Sequence, residues 1–301
     1  MIIMKRNLLI APLVAGLLFV SCGDDKTEGG EDITASDSTK TETEVKNDQI
    51  TETFFQVPSP GEMLTFIKMV GGKNNKNTSF LNSPDNQKNY TDNKAKALNF
   101  GIYSCDLSYC SIFEIGSEAL KYFKVVKQLG DQIGVSSAIK PEVLKRLEGN
   151  LGNPDSLSVI TDDVYFSSFE TLENSQQGPT LSLVVAGGWL ESLFIATSLS
   201  KYDAKSPVVE RLADQKYTLD NLIEFLKKYE SDANVKSVLT QFTELQSEFN
   251  KIGEKDAAAV TSTDKSKKVL GGGKELVLSA EQYKVIVDKI KSIRNSYTLT
   301  K

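Results

Sequence analysis

The chain has 301 residues with 35 basic and 40 acidic side chains, 40% hydrophobic residues and 8 prolines, a globular profile with material for one sizeable core. It contains no histidine, which excludes Ser-His-Asp and Cys-His catalysis, imidazole acid/base chemistry and every His-ligated zinc, copper or iron site. Any chemistry would have to come from carboxylates, Tyr, Lys or Ser.

Lys5 and Arg6 precede a 13-residue apolar run, Leu8 to Val20, too short to span a bilayer as a helix, and Phe19-Val20-Ser21-Cys22 ends it with a small residue before cysteine. This resembles a bacterial lipoprotein signal peptide. The place three residues before the cysteine, usually Leu, is held by Phe19, with Leu18 one earlier. The resemblance implies that Cys22 is the lipidated first residue of the mature protein. Residues 23–50 carry nine acidic and three basic side chains, a net charge of −6, and have almost nothing apolar to bury. A disordered tether is expected there. Removing this −6 and the +2 of the signal region from the overall −5 leaves the body at about −1, so the acidity belongs to the tether. Cys22-Gly23-Asp24-Asp25 is also similar to the acidic export signal of surface lipoproteins in Bacteroidota, and Asp37-Ser38-Thr39 resembles an O-glycan acceptor of that phylum.

The expected division is a signal peptide over 1–21, a tether over 22–50 and a single helical domain over 51–301. Ser59-Pro60-Gly61-Glu62 is a capping box with Pro at the first helical position; Met63, Phe66, Ile67 and Val70 share one face, and Gly71-Gly72 closes the helix. The next stretch, 71–93, holds seven Asn and reads as a polar loop, with ligand binding as its functional alternative. Thr91 or Asp92 then caps a helix whose only charge between Lys96 and Glu114 is Asp106, on a face with Ile102, Tyr109 and Phe113. Ala97, Gly101 and Cys105 form a small-residue stripe. Cys105 and Cys110 point to different faces and are expected to remain unbonded core residues.

Ser117 to Leu129 predicts an amphipathic helix ended by Gly130, and Pro141 to Glu148 a short one ended by Gly149. Asn153-Pro154 starts a longer helix in which Asp163 lies near Val159 and Phe166. The most apolar stretch of the body follows, Leu181 to Leu199, with Glu191 as its one charge. A helix apolar on every side is surrounded by lipid or by other helices. Gly187-Gly188 and a central carboxylate weigh against a span, and Gly188, Ser192 and Ala196 offer a second small-residue stripe. The expectation is therefore a buried central helix packed, stripe to stripe, on the helix that carries Asp106.

Ser206-Pro207 caps a helix with Val208, Val209 and Leu212, and Thr218 is expected to cap another with Leu222, Ile223 and Leu226. Val235, Val238, Phe242, Leu245, Phe249 and Ile252 continue a near-heptad seam. Ala257 to Leu278 predicts a two-stranded hairpin or a loop around Gly271-Gly272-Gly273. Ser279 and Gln282 form a second capping box, before a helix packed through Tyr283, Ile286, Ile290 and Ile293. No fixed repeat emerges, so the expected fold is all-α: a bundle of roughly eight to ten antiparallel amphipathic helices around the buried helix 181–199.

Several runs, read together, resemble a family of Bacteroidota envelope lipoproteins of similar length. They are Phe55-Gln56-Val57-Pro58-Ser59-Pro60-Gly61-Glu62-Met63, Ala97-Leu98-Asn99-Phe100-Gly101-Ile102-Tyr103, Asp106-Leu107-Ser108-Tyr109, Ala186-Gly187-Gly188-Trp189-Leu190-Glu191, Glu281-Gln282-Tyr283 and Ile293-Arg294-Asn295. The resemblance implies an envelope address and a helical body, and no particular activity.

Three functions are compatible with this reading. The first is a lipid-anchored binding or scaffold domain at the outer membrane, surface-exposed or facing the periplasm, that meets an envelope protein or glycan; nucleic acid is not an expected partner. The second is a metal-binding or hydrolytic site built from Asp106, Asp163 and Glu191, which would take Ca²⁺ or Mg²⁺ and for which Tyr103, Tyr109 and Trp189 are candidate pocket residues. Set against it is a buried ion pair of those carboxylates with Lys or Arg146, or their capture by Tyr hydroxyls. The third is a carrier of an apolar small molecule. No cofactor is required by any motif.

Overall fold

A computed structural model describes residues 57–71, 75–256 and 273–298. The expected signal region, the tether with Cys22 and Ser38, and the stretch 257–272 lie outside the described residues. Among the described residues the chain is all-α, with nine α-helices, one short 3-10 helix and a two-stranded hairpin. In order these are α1 (Pro60–Val70), the 3-10 helix (Pro84–Asn89), α2 (Asn93–Ile112), α3 (Gly116–Ile133), α4 (Pro141–Glu148), α5 (Pro154–Asn174), α6 (Gly178–Leu199), α7 (Pro207–Lys227), α8 (Ala233–Phe249), β1 (Gly253–Asp256), β2 (Lys274–Val277) and α9 (Ala280–Thr298).

The boundaries follow from local chemistry. Ser59 Oγ accepts from the Glu62 amide and Pro60 occupies the first turn of α1; Asp92 and not Thr91 caps α2, through Ala95 N. Asn153 caps α5 through Ser156 N, and Asp232 caps α8 through two amides. Ser279 and Gln282 exchange bonds as a capping box at the start of α9.

Three expected boundaries are displaced. Gly130 does not end α3, which runs on to Ile133 and closes at Gly134, whose φ of 89° is the left-handed conformation that favours glycine. Gly130 is small for another reason: a Cβ there would press on Ile139, Val135 and Phe100. Thr218 does not cap a new helix but lies buried in the middle of α7, because Val208, Leu212, Leu219, Leu222 and Leu226 keep one apolar face through it. The hairpin begins earlier than expected, with Gly253 opposite Val277 and Asp256 opposite Lys274. Its strands are mostly exposed and joined by the cross-strand pairs Lys255–Glu275 (3.0 Å) and Lys274–Glu254 (3.3 Å).

The bundle is built on the crossing of α2 and α6, its most extensive helix contact. Every residue from Ala97 to Ile112 and from Leu181 to Ala196 is buried. Helix α6 has the length and composition of a membrane span, but 89% of its apolar window is buried inside the protein. Around this pair α3, α5 and α1 cover α2, and α1, α9, α7, α5 and α8 cover α6. The crossing uses glycines, though not the expected stripe-on-stripe set. A Cβ on Gly101 would overlap the carbonyl of Val184, and one on Gly187 would overlap the carbonyl of Leu98. Gly188 faces Pro60 Cγ at 3.2 Å and the Gly101 carbonyl at 3.5 Å from the same imagined atom, a looser fit. Backbone meets backbone here, and no side chain larger than hydrogen fits at Gly101 or Gly187.

Candidate functional site

Glycine contact has a geometric consequence one turn further along. Glu191 is four residues beyond Gly187 and so shares its face, and Asp106 lies five residues past Gly101 on α2. Helices held this close bring the two carboxyls within hydrogen-bond reach of each other, both 0% exposed. The third member is Arg294 of α9, 6% exposed. Its guanidinium forks onto Glu191, Nε donating to Oε2 and Nη2 to Oε1, each at 2.9 Å. Nη2 also donates to the Phe80 carbonyl at 3.3 Å, and Cζ stands 4.3 Å from the centroid of the Phe194 ring.

The asparagine-rich stretch closes the cluster from above. Asn82, 1% exposed, donates its backbone N–H to Asp106 Oδ2 at 3.2 Å. Its side-chain amide donates to Asn99 Oδ1 (3.1 Å) and to the Tyr90 hydroxyl (3.0 Å), and Asn86 donates to its Oδ1 (2.9 Å). Asn99 donates to the Ala95 and Tyr297 carbonyls, and Tyr90 donates to the Thr298 carbonyl at 3.2 Å. One connected set of polar groups therefore binds α2, α6, the 80–90 loop and the end of α9, and within it the Asp106 Oδ1 atom has no donor facing it.

Electrostatics sets Asp106 apart from an ordinary acid. Burial, and then the charge of Glu191, push the Asp106 carboxyl well above the usual carboxylate range; Arg294 and the Asn82 amide pull the other way and do not prevail. Burial opposes the charge of Arg294, but Glu191 outweighs it and the guanidinium is held above its ordinary value. Burial also raises the thiols of Cys105 and Cys110, which are unbonded core groups as the spacing predicts.

The candidate residues separate into three places. Asp106 and Glu191 come together. Asp163 does not join them: it is exposed on α5 and meets Arg146 Nη2 at 3.4 Å, both side chains about half exposed. The expected counter-ion for a buried carboxylate was Lys or Arg146, whereas the residue found beside Glu191 is Arg294. The aromatic candidates are each satisfied by the chain. Tyr103 donates to the Ser83 carbonyl at 2.7 Å, and Tyr109 to the carbonyls of Asn75 (2.9 Å) and Asn77 (3.0 Å). Both therefore pin the asparagine-rich stretch. Trp189 donates to Gln215 Oε1 at 3.0 Å and packs on Phe242, away from these two.

Sequence reasoning missed Arg294, Asn82 and Asn99. A signal existed for Arg294, which follows Ile290 by four residues and so lies on the packing face of α9; a cation on an apolar face asks for a buried anion. Asn99, between Leu98 and Phe100 on a helix apolar all round, carried the same message. For Asn82 the loop composition held no such cue.

Two further features lie outside the cluster. Asp162 on α5 abuts the first turn of α1, since a Cβ on Gly61 would sit 2.6 Å from its Oδ1. Burial, with Glu62 and Asp163 nearby, pushes its carboxyl up to about 6. A surface cleft of about 610 Å³ runs between α7 and the hairpin, with Tyr202, Val209, Leu276 and the half-exposed Tyr217 and Val277 along it. Among the described residues no three Asp, Glu or Cys side chains converge as metal ligands. Comparison of the chain with family models, with curated proteins and with solved structures finds no match.

Proposed function

We propose that the chain is an envelope lipoprotein, anchored through Cys22 and held off the membrane by its acidic tether, whose helical body is a binding or scaffold domain for an envelope protein or glycan. One observation supports this over a reaction centre. Of the three acids that would perform chemistry, Glu191 is closed off by the Arg294 fork in the core, Asp106 is buried beside it, and Asp163 stands apart on the surface. A hard cation or a substrate would have to displace a guanidinium already bonded to both Glu191 oxygens. Recognition then belongs to the exterior, where a cleft of about 610 Å³ opens beside Tyr217 and Val277.

The address is tested by Cys22→Ala, which should move the protein from the membrane to the soluble fraction; unchanged detergent partitioning would refute it. The binding reading is tested by a photocrosslinking residue placed at Tyr217 in intact cells, with Val159, exposed on α5, as the comparison. A discrete adduct from Tyr217 alone supports recognition through the cleft. Equal or no adducts from the two positions count against it.

A further inference from the structure

We propose that Asp106 keeps its proton in the folded protein and donates it to Glu191, so that Asp106, Glu191 and Arg294 form a neutral, proton-dependent lock holding the last helix and the asparagine-rich loop on the bundle. Charge balance sets the first constraint. Two carboxyls and one guanidinium are buried together, and a single cation balances one anion. A second ionised carboxyl would be an uncompensated buried charge.

Hydrogen bonding says which acid holds the proton. Both Glu191 oxygens accept from Arg294 at 2.9 Å, as a carboxylate requires. Asp106 Oδ2 accepts from Asn82 N at 3.2 Å, but Oδ1 is buried with no donor facing it. An ionised Asp106 would leave that oxygen orphaned; a protonated one turns it into a donor, and the acceptor within reach is Glu191. The groups around it agree. Facing Asp106 are Glu191 from α6, Arg294 from α9, Tyr90 from the loop, Tyr122 from α3, and Tyr103, Cys105 and Cys110 of α2. The tyrosines and cysteines are themselves raised by burial and stay neutral, so among the described residues Arg294 is the one cation opposing two acids.

The lock joins segments far apart in the chain, because Arg294 also holds the Phe80 carbonyl and Tyr90 holds the Thr298 carbonyl. Its linkage to pH has a definite sign. An acid raised on folding binds more protons in the native than in the unfolded state, so stability falls as pH rises from the range of a free Asp up to the native ionisation of Asp106. Each pH unit in that window lowers the folding equilibrium constant about tenfold. Asp162 contributes with the same sign, but only up to about 6.

Asp106→Asn is the informative variant, since its amide donates to Glu191 and accepts from Asn82 N as the protonated acid does, without taking up a proton. Two readouts apply to the folded full-length chain: the infrared carbonyl stretch of a protonated carboxylic acid at about pH 8, and urea unfolding from about pH 6.5 to 9, above the window of Asp162. The expected result is a protonated-acid band in the wild type that is absent in Asp106→Asn, and a wild-type constant that falls relative to the variant as pH rises, tenfold per unit for as long as the native acid stays protonated. Glu191→Gln should also lose the band, because Asp106 then ionises and takes over Arg294. No band in the wild type, or the same pH slope in both proteins, overturns the proposal. A band that persists in Asp106→Asn and vanishes in Glu191→Gln places the proton on the other acid and equally overturns it. So does a calcium-dependent rise in wild-type melting that Asp106→Asn abolishes, which would make Oδ1 a cation ligand.

Discussion

Replacing Arg294 with Met removes the cation that forks onto Glu191 and leaves that carboxylate buried without its counter-charge. The expected loss is about 3 to 5 kcal/mol in urea unfolding. Combining Arg294→Met with Glu191→Leu should recover much of it, because no lone charge then remains in the core; a double variant as unstable as the single one would mean that packing around the guanidinium stem, and not charge, set the cost. Arg294→Lys is not a mild change, since an ammonium cannot fork onto both Glu191 oxygens while reaching the Phe80 carbonyl. Asp162 has the opposite character: its carboxyl, pushed up to about 6, is a partly buried acid with Glu62 and Asp163 as acidic neighbours. Its raised value means that the native state binds the proton more tightly, so stability from this group is full below the range of a free Asp and is lost as pH rises through about 6. Asp162→Asn should therefore stabilise the protein at about pH 8 by about 2 kcal/mol, a figure reduced from the full linkage value for partial exposure, and should make little difference near pH 4. Equal unfolding midpoints at about pH 8 would contradict this.

At the scale of elements, the crossing of α2 and α6 is the contact on which the rest depends, and glycine is required there for reasons of space. Gly187→Ala would drive a methyl into the Leu98 carbonyl and force the helices apart, at a cost of about 1 to 3 kcal/mol. Separation would also pull Glu191 from Asp106, so the variant should lose part of the pH dependence as well as stability. Gly71→Ala is the control: nothing lies within 4 Å of the added atom, and its midpoint should hardly move. If both changes were equally mild, the close backbone approach would be wrong. The same crossing could be read only in part from the sequence. Small residues on both helices announced a close contact, but which glycine faced which carbonyl depended on the rotation of each helix about its axis. Nothing in a helix apolar on every side fixes that rotation, because every orientation buries the same kind of surface.

For the whole molecule, a fragment of residues 51–301 should be soluble without detergent, mostly helical by circular dichroism, and should unfold in one cooperative transition. Partitioning into membranes through α6 would contradict the burial of that helix. Capping, periodicity and apolar content act within a few residues of the chain, so the all-α class, the capped starts of α1, α5, α7 and α9, the buried central helix and the unbonded cysteines were legible in the sequence. It also singled out Asp106 and Glu191, since a lone charge on an apolar helix is visible in one dimension. Their partner was decided only by tertiary structure. Arg294 lies more than a hundred residues from Glu191, Asn82 sits in a loop whose composition looked like solvent-exposed filler, and Asp163, next to Asp162 on a partly apolar face, turned outward to Arg146. Local pattern states that a buried charge must be compensated; only the packing of distant helices, which sets distance and dielectric together, determines by what.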